Sequence, residues 1–478
     1  MSFANNTLFP GNVPSTGMQS GFSPFSATLG QAGTLYVLGG GPNSTLVIEA
    51  VDTLTDHVAK SFVVGNSSVY GSCIPTTAAF DPTNGYLYAV STLNCGFSLN
   101  VIVLSTVNGS VVAKIPLQSS FDPAGIAYDA SNSEVYVTNS DGYYSNPLVD
   151  FVDTASNSLA GSSSLGFNFV SNGCNSQNSG SPYGAHADSP LFYSSGSEMY
   201  VPVSYYLCGV AAPAESVFAL NDTNAIVGRT PMAYLGDAQQ GEVAPSGVVY
   251  MEGSGAGFLG SDSNCPCSVP LVTVSPQTNS SSATSISCGS FGESYGMLCL
   301  PSGAVYDSAT GYLYAGWYYS CYGSGCAQVE SNTTAIDSST NKTAGSLSTG
   351  YGRSSILFDQ SNGQLYETNG NSGTLSVIFD GRFNATLTES GLPPGDRWGT
   401  VIAGALPKYT TSDVITYSAP NGAYRLNVTA GDGYCASPSS RTLVINGSDV
   451  SQTIQFTNSG CHTVTFDESG FPAGELWG

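Results

Sequence analysis

The sequence predicts an all-β chain, a seven-bladed β-propeller followed by a small C-terminal β-sandwich. Two observations carry the prediction. One core recurs through residues 20–382: an apolar stretch, an Asp, a turn of small polar residues, then an alternating strand built around Leu-Tyr or Val-Tyr. A second, different motif begins at Phe383 and returns near the end of the chain. The first repeat has four clear copies. Asp81-Pro-Thr-Asn-Gly85 precedes Tyr88, Asp129-Ala-Ser-Asn-Ser133 precedes Tyr136, Asp307-Ser-Ala-Thr-Gly311 precedes Tyr314, and Asp359-Gln-Ser-Asn-Gly363 precedes Tyr366. The Asp-to-Tyr offset is seven residues each time. Weaker copies centre on Tyr36, Tyr200 and Tyr250, which gives seven strand markers spaced by 52, 48, 64, 50, 64 and 52 residues.

Each unit begins as a hairpin: the Asp side chain caps the turn, Asn or Gly takes the left-handed conformation, and the following strand alternates buried and exposed side chains. A second strand pair follows the marker, at Leu148–Thr154 in the third unit and Leu375–Asp380 in the seventh. A four-stranded sheet of this size cannot bury both faces alone, so units of about 55 residues must stack, and radial stacking gives a propeller. A β-solenoid is the competing geometry, but its repeats are usually shorter. The seventh unit supplies three strands before Phe383. Phe25-Ser26-Ala27-Thr28-Leu29, alone before the first unit, is therefore expected to pair as the missing outer strand and remove the open edge.

From Phe383 the motif Glu389-Ser-Gly-Leu-Pro-Pro-Gly-Asp-Arg-Trp398 appears, and Glu468-Ser-Gly-Phe-Pro-Ala-Gly-Glu-Leu-Trp477 repeats it 79 residues later. That interval is the length of one small sandwich domain. Alternation in Tyr424–Val428 and Thr453–Thr457 supports strands. The expected organisation is a propeller over 1–382, a sandwich over 383–460, and the start of a second, truncated repeat over 461–478.

Two resemblances follow from these residues. Tyr136-Val137-Thr138-Asn139, after Asp129 and followed by Val152-Asp153-Thr154, resembles the YVTN β-propeller repeat of archaeal surface-layer-type proteins. Gly311–Ala315 and Gly363–Asn369 are similar, whereas the fourth and fifth units keep only the strand pattern and carry long Cys-containing insertions. The C-terminal module resembles the tandem Ig-like repeats of extracellular proteins from thermoacidophilic archaea. The resemblances imply an extracellular ring on an Ig-like stalk. The propeller family has binding, structural and enzymatic relatives, so fold does not give function.

Composition narrows the classes. The 478 residues hold 33 Asp plus Glu against 10 Lys plus Arg, a net charge of -23, so the clustered cations of a nucleic-acid binder are missing. Charged residues are only 9% while hydrophobic residues reach 41%, which predicts a large core rather than charge-driven disorder. No apolar run approaches a spanning helix and no export signal is legible at the start, so secretion or membrane anchoring would depend on regions outside this sequence, the anchor on a C-terminal continuation. Acid habitat is compatible with this balance, because carboxylates lose charge as pH falls through about 4.

Twelve cysteines lie scattered in polar loops, which suits an oxidising compartment. Cys73 with Cys95, Cys174 with Cys208, and Cys321 with Cys326 could each staple a loop, Cys435 with Cys461 could close the sandwich, and Cys265, Cys267, Cys288 and Cys299 allow three pairings. Each bridge would contribute about 2–4 kcal/mol. Zinc held by those four is the sharper alternative, but Cys-Pro-Cys has one intervening residue and no His lies nearby. Eleven sequons, at Asn5, Asn43, Asn66, Asn108, Asn221, Asn279, Asn332, Asn341, Asn384, Asn427 and Asn446, fit a glycosylated exterior.

Catalytic constellations are sparse. Among three His residues, His186 near Asp188 could be oriented by a carboxylate, and Glu242 and Glu252 flank a strand marker as a candidate acid/base pair. Asp262-Ser263-Asn264 offers oxygen ligands to a structural Ca2+, without the fixed Gly and terminal Glu of an EF-hand loop; no other cofactor is expected. Tyr pairs follow three markers, Tyr143-Tyr144, Tyr205-Tyr206 and Tyr318-Tyr319, with Tyr322 beside the last. Their rings either pack under long loops or form a rim that contacts a surface glycan or a neighbouring protein. The expected function is a non-enzymatic, secreted or cell-surface head for adhesion, recognition or surface-layer assembly. The alternative is a secreted polysaccharide lyase or hydrolase using acids at the channel.

Overall fold

The computed structural model describes residues 9–11, 18, 21–31, 33–53, 57–65, 75–90, 100–118, 123–139, 147–165, 185–187, 189–205, 214–232, 238–253, 268–287, 297–308, 310–321, 330–352, 355–361, 363–379, 383–402, 407–419, 422–430, 433–445 and 449–458. Two compact units divide the chain, residues 1–380 and 381–478. Regular structure among the described residues is β-strand, apart from short 3-10 turns.

Among the described residues, the first unit shows seven antiparallel sheets, each made largely from consecutive strands. All seven tyrosine markers fall on the second strand of a sheet: Thr34–Gly41, Tyr86–Val90, Glu134–Asn139, Glu198–Tyr205, Val249–Gly253, Tyr312–Cys321 and Gln364–Asn369. The hairpin before each marker closes as its residues require. Asp81, Asp129 and Asp359 each accept the backbone N–H and the hydroxyl of the residue two places on, Thr83, Ser131 and Ser361, at 2.6–2.8 Å. The left-handed positions that follow are taken by Gly85, Ser133 and Gly363. Between the third and outer strands, Asn157, Asn224, Asn279 and Asn341 fill the positive-φ positions, where an L-residue with a short polar side chain is least strained.

The sheets are docked by the same tyrosines. The Tyr88 hydroxyl donates to Asn157 Oδ1 of the third sheet at 2.7 Å, and Tyr136 donates to Asn224 Oδ1 of the fourth at 2.5 Å. Tyr200 accepts from Gln277 of the fifth sheet at 3.4 Å, and Tyr366 donates to the Thr53 carbonyl of the first at 3.4 Å. Tyr36, Tyr250 and Tyr314 instead meet Phe80, Tyr306 and Phe358 of the next sheet, ring centroids 5.4–5.7 Å apart. Each seam has its own apolar core. Leu38 and Ile48 pack against Leu87 and Ile102 between the first two sheets. Tyr366 and Val377 pack against Leu35 and Val37 between the seventh and the first.

Closure differs from the sequence expectation in one respect. The fourth strand of the seventh sheet is Phe9–Gly11, antiparallel to Thr374–Phe379 with Phe9 opposite Phe379. Residues 25–29 belong to Ser23–Leu29, the inner strand of the first sheet. The reason is internal to the repeat: Tyr36 marks a second strand, so the segment before it must supply the first. The second strand pairs expected in the third and seventh units occur, as Leu148–Asp153 and Thr374–Phe379.

The second unit has two four-stranded sheets around one core. Phe383–Ser390 lies between Val414–Ala419, antiparallel, and Val450–Thr457, parallel. The repeated motif is the turn that carries the chain to the other sheet. Glu389 accepts the Leu392 N–H at 3.2 Å. Gly391, at φ 104°, lies so close to the Phe456 carbonyl that a Cβ would stand 2.3 Å from it. Trp398 is buried edge-on against Phe456 and donates its indole N–H to the Ser412 carbonyl at 2.8 Å.

Two outcomes are expected. Tyr136→Phe leaves Asn224 short of a donor and lowers stability by about 1–2 kcal/mol, and Tyr136→Ala lowers it by about 3–5 kcal/mol, both measured by denaturant unfolding. Deleting residues 1–11 speeds amide exchange in Thr374–Phe379 while that of Leu148–Asp153, in the third sheet, is unchanged.

Candidate functional site

The inner strands of all seven sheets surround a cavity of about 590 Å3. Small and hydroxylated residues, among them Thr28, Thr77, Ala124 and Ser189, line it together with the rings of Phe25, Phe80 and Tyr128 and the aliphatic Ile126, Leu191 and Leu357. No Asp, Glu, His, Lys or Arg is among its described lining residues. The inner strand of the first, third and sixth sheets is bulged directly after a proline, between Pro24 and Ser26, Pro123 and Gly125, and Pro301 and Gly303. The residues displaced from the ladder are Phe25, Ala124 and Ser302, and all three line the cavity. Sequence reasoning overlooked this site. Its signal was a proline two residues before a Ser or Gly in three inner strands, Pro24-Phe25-Ser26, Pro123-Ala124-Gly125 and Pro301-Ser302-Gly303.

The two glutamates proposed as an acid/base pair lie elsewhere. Glu242 accepts the Tyr306 N–H at 2.6 Å and Glu252 accepts the Gly303 N–H at 3.1 Å, so both reach from the fifth sheet to the backbone of the sixth. From the opposite side Glu367 of the seventh sheet, fully buried, accepts the Thr333 hydroxyl at 2.8 Å. Burial drives the Glu242 carboxyl up to about 7, with the Tyr306 N–H opposing and the Asp307 charge assisting. Glu252 is fully buried and lies well above the usual range, again through desolvation, with a contribution from Glu367. Glu134, at the seam of the third and fourth sheets, is raised by burial too, although Asn224 donates to it at 2.8 Å.

The other candidate residues are less concentrated. Tyr205, Tyr318 and Tyr319 lie at the C-terminal ends of Glu198–Tyr205 and Tyr312–Cys321, in strand rather than loop, and Tyr318 is half-buried. Tyr143, Tyr144, Tyr206 and Tyr322 lie outside the described residues. His186 is on the short strand Ala185–Ala187, opposite Ser204, and Asp188 lies outside the described residues, as do Asp262, Ser263 and Asn264. No cluster of three His, Cys, Asp or Glu suited to a metal is found among the described residues, and none of their helices is long and apolar enough to cross a membrane.

Cys435 is disulfide-bonded. Cys73, Cys95, Cys174, Cys208, Cys265, Cys267, Cys288, Cys326 and Cys461 lie outside the described residues, and Cys299 and Cys321 occupy strands Met297–Tyr306 and Tyr312–Cys321. Of the sequon asparagines, Asn43, Asn108, Asn279, Asn341, Asn384 and Asn427 are exposed. Asn332 is half-buried in a strand, and Asn221 is half-buried with its side-chain oxygen holding Thr223 and Ala225. Asn5, Asn66 and Asn446 lie outside the described residues.

Comparison with solved structures places the architecture. The chain is similar to hydrazine synthase of Kuenenia stuttgartiensis, with a TM-score of 0.52 and 16% identity over 79% of this chain and 99% of that one. It is also similar to a periplasmic gluconolactonase of Pseudomonas aeruginosa, with a TM-score of 0.47 and 14% identity over 72% and 91%. The fold is of the β-propeller type. No protein-family model and no curated protein matches the chain. At this identity the likeness bears on fold alone.

The seam glutamates set a pH dependence. A carboxyl whose pKa is higher folded than unfolded favours the fold while protonated, and that contribution is lost as pH rises through the folded value. Asp81, Asp153 and Asp337 are shifted down. Burial opposes the shift at Asp81 but the Thr83 hydroxyl and N–H outweigh it, whereas the hydroxyls of Ser156 and Ser339 lead at Asp153 and Asp337. Their contribution is lost as pH falls below 3.8. The melting temperature should therefore peak near pH 4 and decline from pH 4.5 to 7 and beyond. Replacing Glu242 and Glu252 together by Gln should flatten that decline, which a melting series across pH measures.

Proposed function

We propose that this chain is a non-enzymatic, extracellular recognition head: seven sheets closed into a seven-bladed ring, joined to an Ig-like module that acts as a stalk. The observation that carries the proposal is the fate of the carboxylates. Those that hydrolase or lyase chemistry would recruit are spent on backbone N–H groups and hydroxyls between sheets, and the described cavity wall is uncharged. General acid–base catalysis needs a titrating group within reach of substrate, and Glu252 is sealed between two sheets.

Ring closure is supported by the apolar seam between the seventh and first sheets and by Phe9–Gly11 completing the last sheet. The Ig-like assignment rests on the two-sheet sandwich and on the returning Glu-x-Gly motif. An exterior location is supported by disulfide-bonded Cys435, for which Cys461 is the proposed partner, and by exposed sequons at the Asn279 and Asn341 turns. In this proposal the Tyr-rich ends of the second strands form a rim that recognises surface glycan, because a tyrosine offers a flat apolar face and a hydroxyl at low entropy cost.

Tethered-glycan array binding tests the rim. The expected result is binding by the intact chain and its loss when Tyr143, Tyr205 and Tyr318 are replaced together by Ala. Binding unchanged by that replacement removes the rim from recognition.

A further inference from the structure

We propose that the central cavity is itself a binding site, separate from the tyrosine rim, for a neutral, hydroxyl-rich small molecule of the mono- or disaccharide class. Three observations converge on it. The cavity volume of about 590 Å3 falls within the roughly 300–1,000 Å3 of ligand pockets. Its described wall carries the hydroxyls of Thr28, Thr77 and Ser189, the last also reaching the Ala124 carbonyl at 3.5 Å, beside the rings of Phe25 and Tyr128. The bulges after Pro24, Pro123 and Pro301 recur in three sheets and in each displace a cavity-lining residue from the ladder. Bulges of this kind re-aim side chains at sites rather than stabilise a sheet.

The class of ligand follows from what the wall can satisfy. An ion entering would shed hydration with no opposite charge among the described lining residues to replace it. An apolar molecule would cover hydroxyls and strand-edge peptide groups without pairing them. A sugar meets both demands, since its hydroxyls exchange hydrogen bonds with threonines, serines and peptide groups while its C–H faces lie on Phe25 and Tyr128. The chain's net charge of -23 adds repulsion against anionic analogues.

The test is saturation-transfer NMR and calorimetry on the 478-residue chain. The probes are glucose, maltose, cellobiose and lactose, with gluconate and glucosamine as charged comparators. At least one neutral sugar should bind, with both comparators weaker by about tenfold or more. Ala124→Phe, which fills the cavity, should weaken binding about tenfold or more. Thr77→Val, nearly equal in volume, should weaken it about three- to tenfold through one lost hydrogen bond. Replacing Tyr143, Tyr205 and Tyr318 by Ala should leave it unchanged, which separates failure here from failure of the rim. No binding of any neutral sugar up to about 10 mM, equal binding of the charged comparators, or affinity unmoved by Ala124→Phe overturns the proposal. If Ala124→Phe does not fold, unaltered affinity in Thr77→Val does so.

Discussion

No sheet of the first unit can bury itself, and the seam between neighbours is the constraint on which the rest depends. Four short strands expose two apolar faces, and the sheet is stable only when both are covered. The second-strand tyrosine answers that need at every seam, burying its ring against the next sheet while its hydroxyl or ring face finds a partner there. Because each seam has its own core, the first sheet must be covered on its far side too, and the seventh does so. The short strand Phe9–Gly11 then completes the outer layer of the last sheet. Closure is therefore a packing requirement before it is a topological one.

The same requirement explains how much could be read from residue order. A turn that needs an Asp acceptor and a left-handed residue leaves a fixed spacing, so all seven markers, their second-strand placement and the Asp-capped turns were visible in the sequence. Which N-terminal segment closes the last sheet was not visible. Residues 25–29, between Pro24 and Gly30, and residues 9–11, which include Pro10 and Gly11, are both short and uncharged, and only counting inner strands assigns them. The cavity was hidden for a different reason. Much of its wall is Ser, Thr and Ala, which carry no chemical signature alone, and their convergence with Phe25 and Tyr128 depends on curvature that no local spacing encodes. The C-terminal motif was legible because its parts are individually demanding: an acid to hold an N–H, a glycine where a Cβ would strike a carbonyl, and a tryptophan to fill the core.

Glu242 and Glu252 show how a chemically suggestive pair can serve architecture. Their acidity is perturbed in the direction that marks catalytic acids, yet the cause is enclosure between sheets, and the groups they face are peptide N–H donors. A carboxyl at such a place satisfies backbone donors that would otherwise be buried without a partner, and it does so with least cost when protonated. Glu367 approaches the sixth sheet from its other side, so that sheet is held between carboxyls on both faces. The sheet ends carry the opposite design: half-buried Asp153 and Asp337 are stabilised as anions by serine hydroxyls and N–H groups in the turns.

These two populations of acid reconcile a net charge of -23 with a compact fold. Asp81, Asp153 and Asp337 in the turns are stabilised as anions by local donors, while Glu134, Glu242 and Glu252 inside the seams resist ionisation. With few cations to pair, the placement and protonation of these acids limit self-repulsion. Enclosing the ionisable groups between sheets also leaves the channel wall to hydroxyls, rings and strand edges. With Glu242, Glu252 and Glu367 turned into the seams, the described cavity wall is uncharged.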